Sequence, residues 1–215
     1  MLIDVFSRLN GRRLSVSVKG CIAALRRMLL LFLLLAVPLA AAADFEAGVA
    51  AATAGDYRSA LREWQPLAED GNAEAQFNLG LMYENGLGVL QDGATAALWY
   101  RRAAEQNDRM AQAYLGEMYA KGLGVPRDDR EALRWFERAA ERGDSASQYN
   151  VGLFYATGRG IAPSDVHAVA WLTVALENGA KPTELLDLLK KNMSAQNLEQ
   201  ALGLADEVRK QCRLD

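Results

Sequence analysis

A stretch of 15 residues recurs three times in the chain and constrains its fold more than any other feature. It reads AQFNLGLMYENGLGV from Ala75, AQAYLGEMYAKGLGV from Ala111 and SQYNVGLFYATGRGI from Ser147. Two separate markers share one period of 36 residues. They are the glycines Gly80, Gly116 and Gly152 and the tryptophans Trp99, Trp135 and Trp171. Two independent markers with one period predict a tandem repeat.

Each repeat is predicted to form two helices joined by a glycine-rich turn. In the first repeat, the first helix has one apolar face, and the second helix has another. These faces consist of Ala75, Leu79, Met82 and Tyr83, and of Ala96, Trp99, Tyr100, Ala103 and Ala104. Gly86 and Gly88 are expected to end the first helix, and Asp92 to cap the second. Gly80 lies inside a helix, at a cost of about 1 kcal/mol relative to alanine, which predicts that a neighbouring helix approaches closely there.

The repeat pattern divides the chain into six segments. Residues 73–108, 109–144 and 145–180 are full repeats, preceded by a partial, capping hairpin at 44–72 in which Gly55 ends a short helix. Residues 181–215 are predicted to form two C-terminal capping helices, one opened by Pro182 and one capped by Ser194. The second of these is expected to have one apolar face, made of Leu198, Ala201, Leu202 and Ala205. In the third repeat the second helix has lost both arginines of WYRRAAE, which predicts that the C-terminal helices cover it.

The remaining segment, residues 1–43, has the pattern of a bacterial secretory signal. Arg26 and Arg27 precede the apolar run MLLLFLLLAVPLAAAA, and small residues stand before Asp44. The run is shorter than the roughly 20 residues of a membrane span, and Pro38 lies near its end. We therefore expect cleavage after Ala43 and a periplasmic or secreted protein. An uncleaved anchor in the inner membrane is the alternative.

Loss of residues 1–43 would make the chain strongly acidic. This segment contains six basic residues and one acidic residue, so its removal lowers the net charge from −3 to −8. This charge argues against nucleic acid and anionic lipid as the main partners. Cys212 would be the only remaining cysteine, so no internal disulfide is possible, and it is expected to lie near a frayed C-terminus. An intermolecular disulfide through Cys212 is the alternative.

At the level of individual residues, the repeats resemble Sel1-like repeats, which are relatives of tetratricopeptide repeats. The matching positions, as they stand in the first repeat, are Ala75, Leu79, Gly80, Tyr83, Gly86, Gly88, Ala96, Trp99, Ala103 and Ala104. Ser147, Val151 and Arg159 depart from the pattern. The resemblance implies an all-α fold, a right-handed superhelical solenoid whose first helices line a concave groove. It also implies an adaptor or scaffold, which in exported bacterial members usually serves protein or envelope assembly. Cysteine-rich relatives have been linked to β-lactam binding, but the cysteines concerned are missing here.

The sequence contains no recognisable catalytic or cofactor motif, so we predict a protein that is not an enzyme and that binds no cofactor and no metal. The only histidine, His167, has no second ligand at metal spacing and is expected to pack at the surface or in a loop. The loop glycines are not a dinucleotide fingerprint, because no strand precedes them. A cell-envelope enzyme, or a protein that binds peptidoglycan or polysaccharide, is the alternative function.

The candidate site is therefore the groove, which would take up a protein or peptide partner of unknown identity. By resemblance to tetratricopeptide units, the groove positions are Glu74, Phe77, Leu81, Glu84, Asn85, Met110, Glu117, Lys121, Tyr149, Leu153 and Thr157. The remaining positions of the same set carry alanine, namely Ala113, Ala120, Ala146 and Ala156. Apolar anchors with a few acids suit a peptide or helix that carries apolar side chains and some positive charge. The alternative for Phe77 and Tyr149 is that they only pack between helices. The protein is expected to be a monomer.

Overall fold

A computed structural model of the protein describes residues 43–181 and 183–212. All regular secondary structure in this part of the chain is helical, and it has no strand. The predicted signal segment lies outside it except for Ala43, and so does Pro182. The helices are α1 Phe45–Thr53, α2 Tyr57–Glu69, α3 Ala73–Asn85, α4 Gly93–Glu105, α5 Arg109–Lys121, α6 Asp129–Glu141, α7 Ser145–Thr157, α8 Asp165–Glu177, α9 Thr183–Asn192 and α10 Ala195–Gln211.

From α1 to α8, each helix packs against the next one along the chain, which gives a stack of helical hairpins. Short polar side chains begin these helices, as the sequence predicts. The Asp92 carboxylate accepts hydrogen bonds from the backbone N–H groups of Ala94 and Thr95, at 2.9 and 3.2 Å. Ser194 is confirmed as the N-cap of α10, and Asp128 caps α6 in the same way. These side chains satisfy backbone donors that have no partner inside the helix.

The glycine inside each first helix allows its partner helix to approach closely, which confirms the prediction for Gly80. A Cβ atom on Gly80 would lie 2.4 Å from the ring of Tyr100 in α4. In the N-terminal hairpin, a Cβ atom on Gly48 would likewise lie 2.3 Å from the ring of Trp64. Trp64 precedes Tyr100 by 36 residues, whereas Gly48 precedes Gly80 by 32. The N-terminal hairpin therefore has the same packing with a shorter turn.

A second glycine in each turn brings consecutive hairpins into backbone contact. Gly124, in the turn between α5 and α6, has φ +69°, and a Cβ atom there would lie 2.1 Å from the carbonyl carbon of Gly93. Gly93 is the first residue of α4, in the preceding hairpin. The same contact joins Gly88 to Tyr57 and Gly160 to Asp129. The turn of each repeat therefore rests on the start of the previous second helix.

Buried glutamines, which the sequence reasoning did not single out, connect each first helix to the hairpin before it. Their side-chain amides donate to the last turn of the preceding second helix at 2.9 to 3.1 Å. The pairs are Gln76 with the carbonyl oxygen of Ala68, Gln112 with that of Ala104, and Gln148 with that of Ala140. Each of these carbonyls also accepts a backbone hydrogen bond from the turn after its helix, at 3.0 to 3.2 Å, so the glutamine supplies a second bond at the helix end.

The glutamine oxygens reveal one irregularity among the three repeats. Those of Gln76 and Gln148 each accept a hydrogen bond from an amide 30 residues later, Gln106 or Asn178, at 2.8 and 2.9 Å. In the second repeat the corresponding residue is Arg142, and Oε1 of the fully buried Gln112 has no hydrogen-bond partner within the described ranges. A buried acceptor without a partner costs free energy.

The C-terminal helices cover the last repeat, as predicted from the apolar character of α8. Both α9 and α10 pack against α8. Val174, at the position of an arginine in the first two repeats, is buried against Ala205 and Val208 of α10. One detail was wrong, because Leu202 does not belong to the buried face of α10 and is 43% exposed. No helix in the described ranges has both the length and the apolar character that crossing a membrane requires.

Candidate functional site

The predicted groove residues lie on the first helices α3, α5 and α7, and helical spacing places them on one face of each helix. We call this set, together with Tyr114, the first-helix face. Its side chains range from half-buried to exposed. The half-buried ones are Phe77, Leu81, Glu84, Tyr114, Tyr149 and Leu153, and the exposed ones are Glu74, Asn85, Met110, Glu117, Lys121 and Thr157.

Three aromatic rings meet at this face between the first and second repeats. Phe77 of α3 lies 5.5 Å from Tyr114 of α5, edge to face, and both contact the buried Tyr100 of α4, at 5.6 and 5.3 Å between ring centres. Such pairs stabilise beyond the area they bury. Phe77 therefore packs between helices while it stays partly accessible. Tyr114 was missed because it lies one residue beyond the groove position at Ala113.

Glu84 does not stand free in solvent, as a simple groove acid would. Its carboxylate accepts a hydrogen bond of 2.6 Å from the hydroxyl group of Tyr100. Burial raises the pKa of Tyr100 far above its ordinary value, and the bond to Glu84 raises it further, so this phenol stays protonated. The later repeats carry alanine at the position of Glu84 and an apolar residue, Phe136 or Leu172, at that of Tyr100.

The second repeat adds a charged and an apolar side chain to the same face. Glu117 and Lys121 form an ion pair one helical turn apart, and both side chains are at least half exposed. Such exposed pairs stabilise a helix by well under 1 kcal/mol, so both groups can exchange their partner for another. Met110, in the first turn of α5, is 42% exposed. It is the most exposed apolar side chain among the predicted groove residues.

Two further groove residues bond to their own helix. The Asn85 amide donates to the carbonyl oxygen of Leu81 at 2.9 Å, and the Thr157 hydroxyl donates to that of Leu153 at 2.7 Å. Asn85 and Thr157 therefore already use one donor each. The Glu74 side chain is exposed and forms no hydrogen bond or ion pair in the described part of the chain.

Tyr149 marks the other end of the face, where the C-terminal helices begin. It packs beside the cluster formed by Val169, Leu172 and Leu186. A shallow depression of about 290 Å³ lies next to it, lined by Ala146, Tyr149, Asn150, Ala180 and Lys181. Tyr149 therefore packs against the cap and also lines an accessible surface.

The chain's only histidine lies half-buried in the first turn of α8, where its neighbours hold it. The His167 ring stacks on Tyr155 at 4.9 Å, and its Nδ1 atom lies 2.8 Å from the hydroxyl oxygen of Ser164. Among the described residues, no group of three histidine, cysteine, aspartate or glutamate side chains is arranged to hold a metal ion.

Cys212 does not lie on a frayed end, contrary to expectation. It is half-buried directly after α10, and its Sγ atom lies 3.4 Å from the carbonyl oxygen of Ala140 and 3.7 Å from Nε2 of Gln148. The residue therefore helps to hold α10 against α6 and α7.

Comparison with known proteins identifies the repeats. The family model for the Sel1 repeat matches residues 73–108, 109–144 and 145–179. A Sel1 repeat protein of known structure from Oxalobacter formigenes is 38% identical, over 59% of this chain and 96% of that one, with a TM-score of 0.55. No curated protein matches the chain.

A second structure is similar in fold alone. It is c5321, a protective antigen present in uropathogenic Escherichia coli strains and displaying an SLR fold. It is 24% identical, over 78% of this chain and 45% of that one, with a TM-score of 0.50.

The chain belongs to the Sel1 repeat family and has its all-helical solenoid fold. Proteins built from Sel1 repeats generally mediate protein–protein interactions, and the fold is typically a non-enzymatic scaffold.

Proposed function

We propose that the protein is an exported, non-enzymatic adaptor that binds a protein or peptide partner on the first-helix face. The observation that carries this proposal is the combination of an exposed apolar side chain with partly accessible rings. Met110 stands on the same helix face as Tyr114, which contacts Phe77 of the preceding repeat. Apolar and aromatic anchors surrounded by polar groups are the usual composition of a protein-binding surface.

The charges on this face indicate what kind of partner fits. Glu74, Glu84 and Glu117 are its acidic groups, and Lys121 is its only base among the predicted positions. The chain without residues 1–43 has a net charge of −8. An acidic surface attracts basic partners and repels acidic ones, mainly by changing the association rate. A segment with apolar anchors and positive charge therefore fits best.

Two variants with matched substitutions test the binding face. Met110 on α5 is 42% exposed, and Leu98 on the outward side of α4 is 48% exposed. We expect Met110→Arg to abolish capture of the native partner in affinity purification from the periplasm, and Leu98→Arg to leave it unchanged. Both variants should keep the helical circular dichroism of the parent. Equal capture by both variants would contradict the proposal.

Export is supported by the basic residues, apolar run and small residues that precede Asp44. We propose that the signal is cleaved and that the mature chain is periplasmic. Intact mass spectrometry of protein recovered from the periplasmic fraction should give a chain that starts at Asp44. A longer chain, recovered only with the inner membrane, would mean that the segment remains as an anchor.

A further inference from the structure

We propose that Glu84 and Glu117, together with the partly accessible rings of Phe77 and Tyr114 that pack on the buried Tyr100, recognise one cationic side chain, arginine or lysine, of a peptide bound along the first-helix face. We call these five residues the acid–aromatic cluster. The inference rests on the proposed function and specifies the chemistry of the partner at one position. It commits to a basic, apolar peptide segment as the occupant of this part of the face.

The first argument is the unbalanced charge at the cluster. Glu84 and Glu117 both act on the Tyr100 hydroxyl group, since the charge of each helps to raise the pKa of Tyr100 after the larger effect of burial. Glu117 has Lys121 as a partner, whereas Glu84 takes part in no ion pair within the described ranges. A partly buried carboxylate bonded only to a neutral phenol favours a cation from elsewhere.

The second argument is the arrangement of the rings. Phe77, Tyr100 and Tyr114 contact one another at 5.3 to 5.6 Å, and Phe77 and Tyr114 are still partly accessible. Aromatic rings attract cations by their electron-rich faces, most strongly at desolvated sites. Arginine can stack on such a ring while its guanidinium group bonds to a carboxylate. Both kinds of partner are present here within one cluster.

The third argument comes from comparing the repeats. At the positions of Glu84 and Tyr100, the second repeat has Ala120 and Phe136. The hairpin of that repeat forms without a carboxylate or a phenol, since Phe136 lies against Gly116 just as Tyr100 lies against Gly80. The pair in the first repeat is therefore not needed for hairpin packing. It gives the first repeat a negative charge at a position where the second and third repeats have alanine.

The decisive variant is Glu84→Gln, which keeps an oxygen to accept the Tyr100 hydrogen bond and removes the charge. The probes are two fluorescently labelled peptides of alternating leucine and arginine, one with every arginine replaced by the neutral isostere citrulline. Fluorescence anisotropy should show that the full-length mature protein binds the arginine peptide at least about fivefold more tightly than the citrulline peptide. Glu84→Gln should reduce this preference to about twofold or less, the remainder coming from Glu117.

A second variant copies the second repeat into the first. The double substitution Glu84→Ala and Tyr100→Phe removes the charge and the hydroxyl group together, in a combination that already packs elsewhere in this chain. It should lower the arginine preference as Glu84→Gln does, with an unchanged midpoint of thermal unfolding. An arginine preference that survives both variants would overturn the inference, because Glu84 would then serve only the Tyr100 hydroxyl group.

The outcomes separate this inference from the proposed function. If Met110→Arg abolishes binding of both peptides while Glu84→Gln leaves both affinities unchanged, the face binds peptides and the cluster does not select a cation. If Met110→Arg leaves both affinities unchanged, the proposed function itself fails. A dimer that forms as protein concentration rises, and that Met110→Arg disrupts, would show that a second copy occupies the face, and would overturn the inference.

Discussion

The turn glycine Gly124 provides the sharpest test of how the hairpins are joined. Its φ of +69° lies in the left-handed region, where a side chain costs about 1–2 kcal/mol. An alanine Cβ atom would also lie 2.1 Å from the carbonyl carbon of Gly93 and 2.7 Å from the backbone nitrogen of Ala94. Both are backbone atoms at the start of a helix, so neither can move aside without shifting that helix.

The expected loss of stability on Gly124→Ala is therefore the sum of two effects. Overpacking against a rigid neighbour typically costs about 1–3 kcal/mol in addition to the backbone strain. We expect a total of about 2–5 kcal/mol, which lowers the unfolding midpoint by roughly 5–15 °C in a chain of this size. Differential scanning calorimetry of the mature protein measures this directly.

Gly143→Ala is the matched control, because it has the same backbone strain without the clash. Gly143 has φ +81°, and an added Cβ atom there would meet nothing within 4 Å. Gly143→Ala should therefore lower the free energy of unfolding by only about 1–2 kcal/mol. Equal destabilisation by the two substitutions would refute the claim that turn glycines hold the hairpins together by backbone contact.

Two further predictions concern polar groups between repeats. Arg142→Gln should stabilise the protein by about 1 kcal/mol in urea unfolding, because the new amide can reach the unpartnered Oε1 of Gln112; an unchanged or lower free energy of unfolding would contradict this. Arg159 and Arg127 lower the pKa of Asp129 to about 2, so the ionised carboxylate stabilises the fold above its ordinary pKa of 3.8, and this contribution is lost as the pH falls towards 2. Asp129→Asn should therefore lower the free energy of unfolding by about 1 kcal/mol at neutral pH. In acid-unfolding curves the difference in stability between the variant and the parent should vanish near pH 2; a difference that does not depend on pH would contradict this.

The sequence was sufficient for the fold because its signals are local and repeated. The 36-residue period, the caps and the helical faces each depend on residues within one turn or one hairpin. The glycine inside the first helix indicated a close approach, and the structure shows Tyr100 at that place. The lost arginines of α8 indicated the cover that α10 supplies.

The contacts that the sequence did not reveal join residues from different hairpins. Gln112 recurs at the repeat period, yet a polar residue on a helix gives no sign that it is buried and bonded to the previous hairpin. The ion pair between Arg159 and Asp129 spans 30 residues and occurs in only one of the repeats. Such partners depend on the angle between hairpins, which the pattern within a helix does not determine.

The binding role of the first-helix face stays a prediction, and its chemistry did not follow from the sequence. The resemblance to tetratricopeptide units assigned Phe77 and Met110 to the groove, but the bond between Glu84 and Tyr100 depends on how a second helix presents its hydroxyl group. Tyr114 was left out because the positions carried over from the related repeats have Ala113 there. The aromatic cluster therefore forms only when the helices of two hairpins pack together, which the pattern within one helix does not show.

Photo-crosslinking tests the central claim, binding on the first-helix face, most directly. A photoreactive amino acid would replace Met110 in one version of the protein and Leu98 in another, two positions of similar exposure, 42% and 48%, on different helices. Irradiation in intact cells should yield a crosslinked partner from position 110 and none from position 98. A partner crosslinked from position 98 alone would contradict the assignment of the first-helix face as the binding surface.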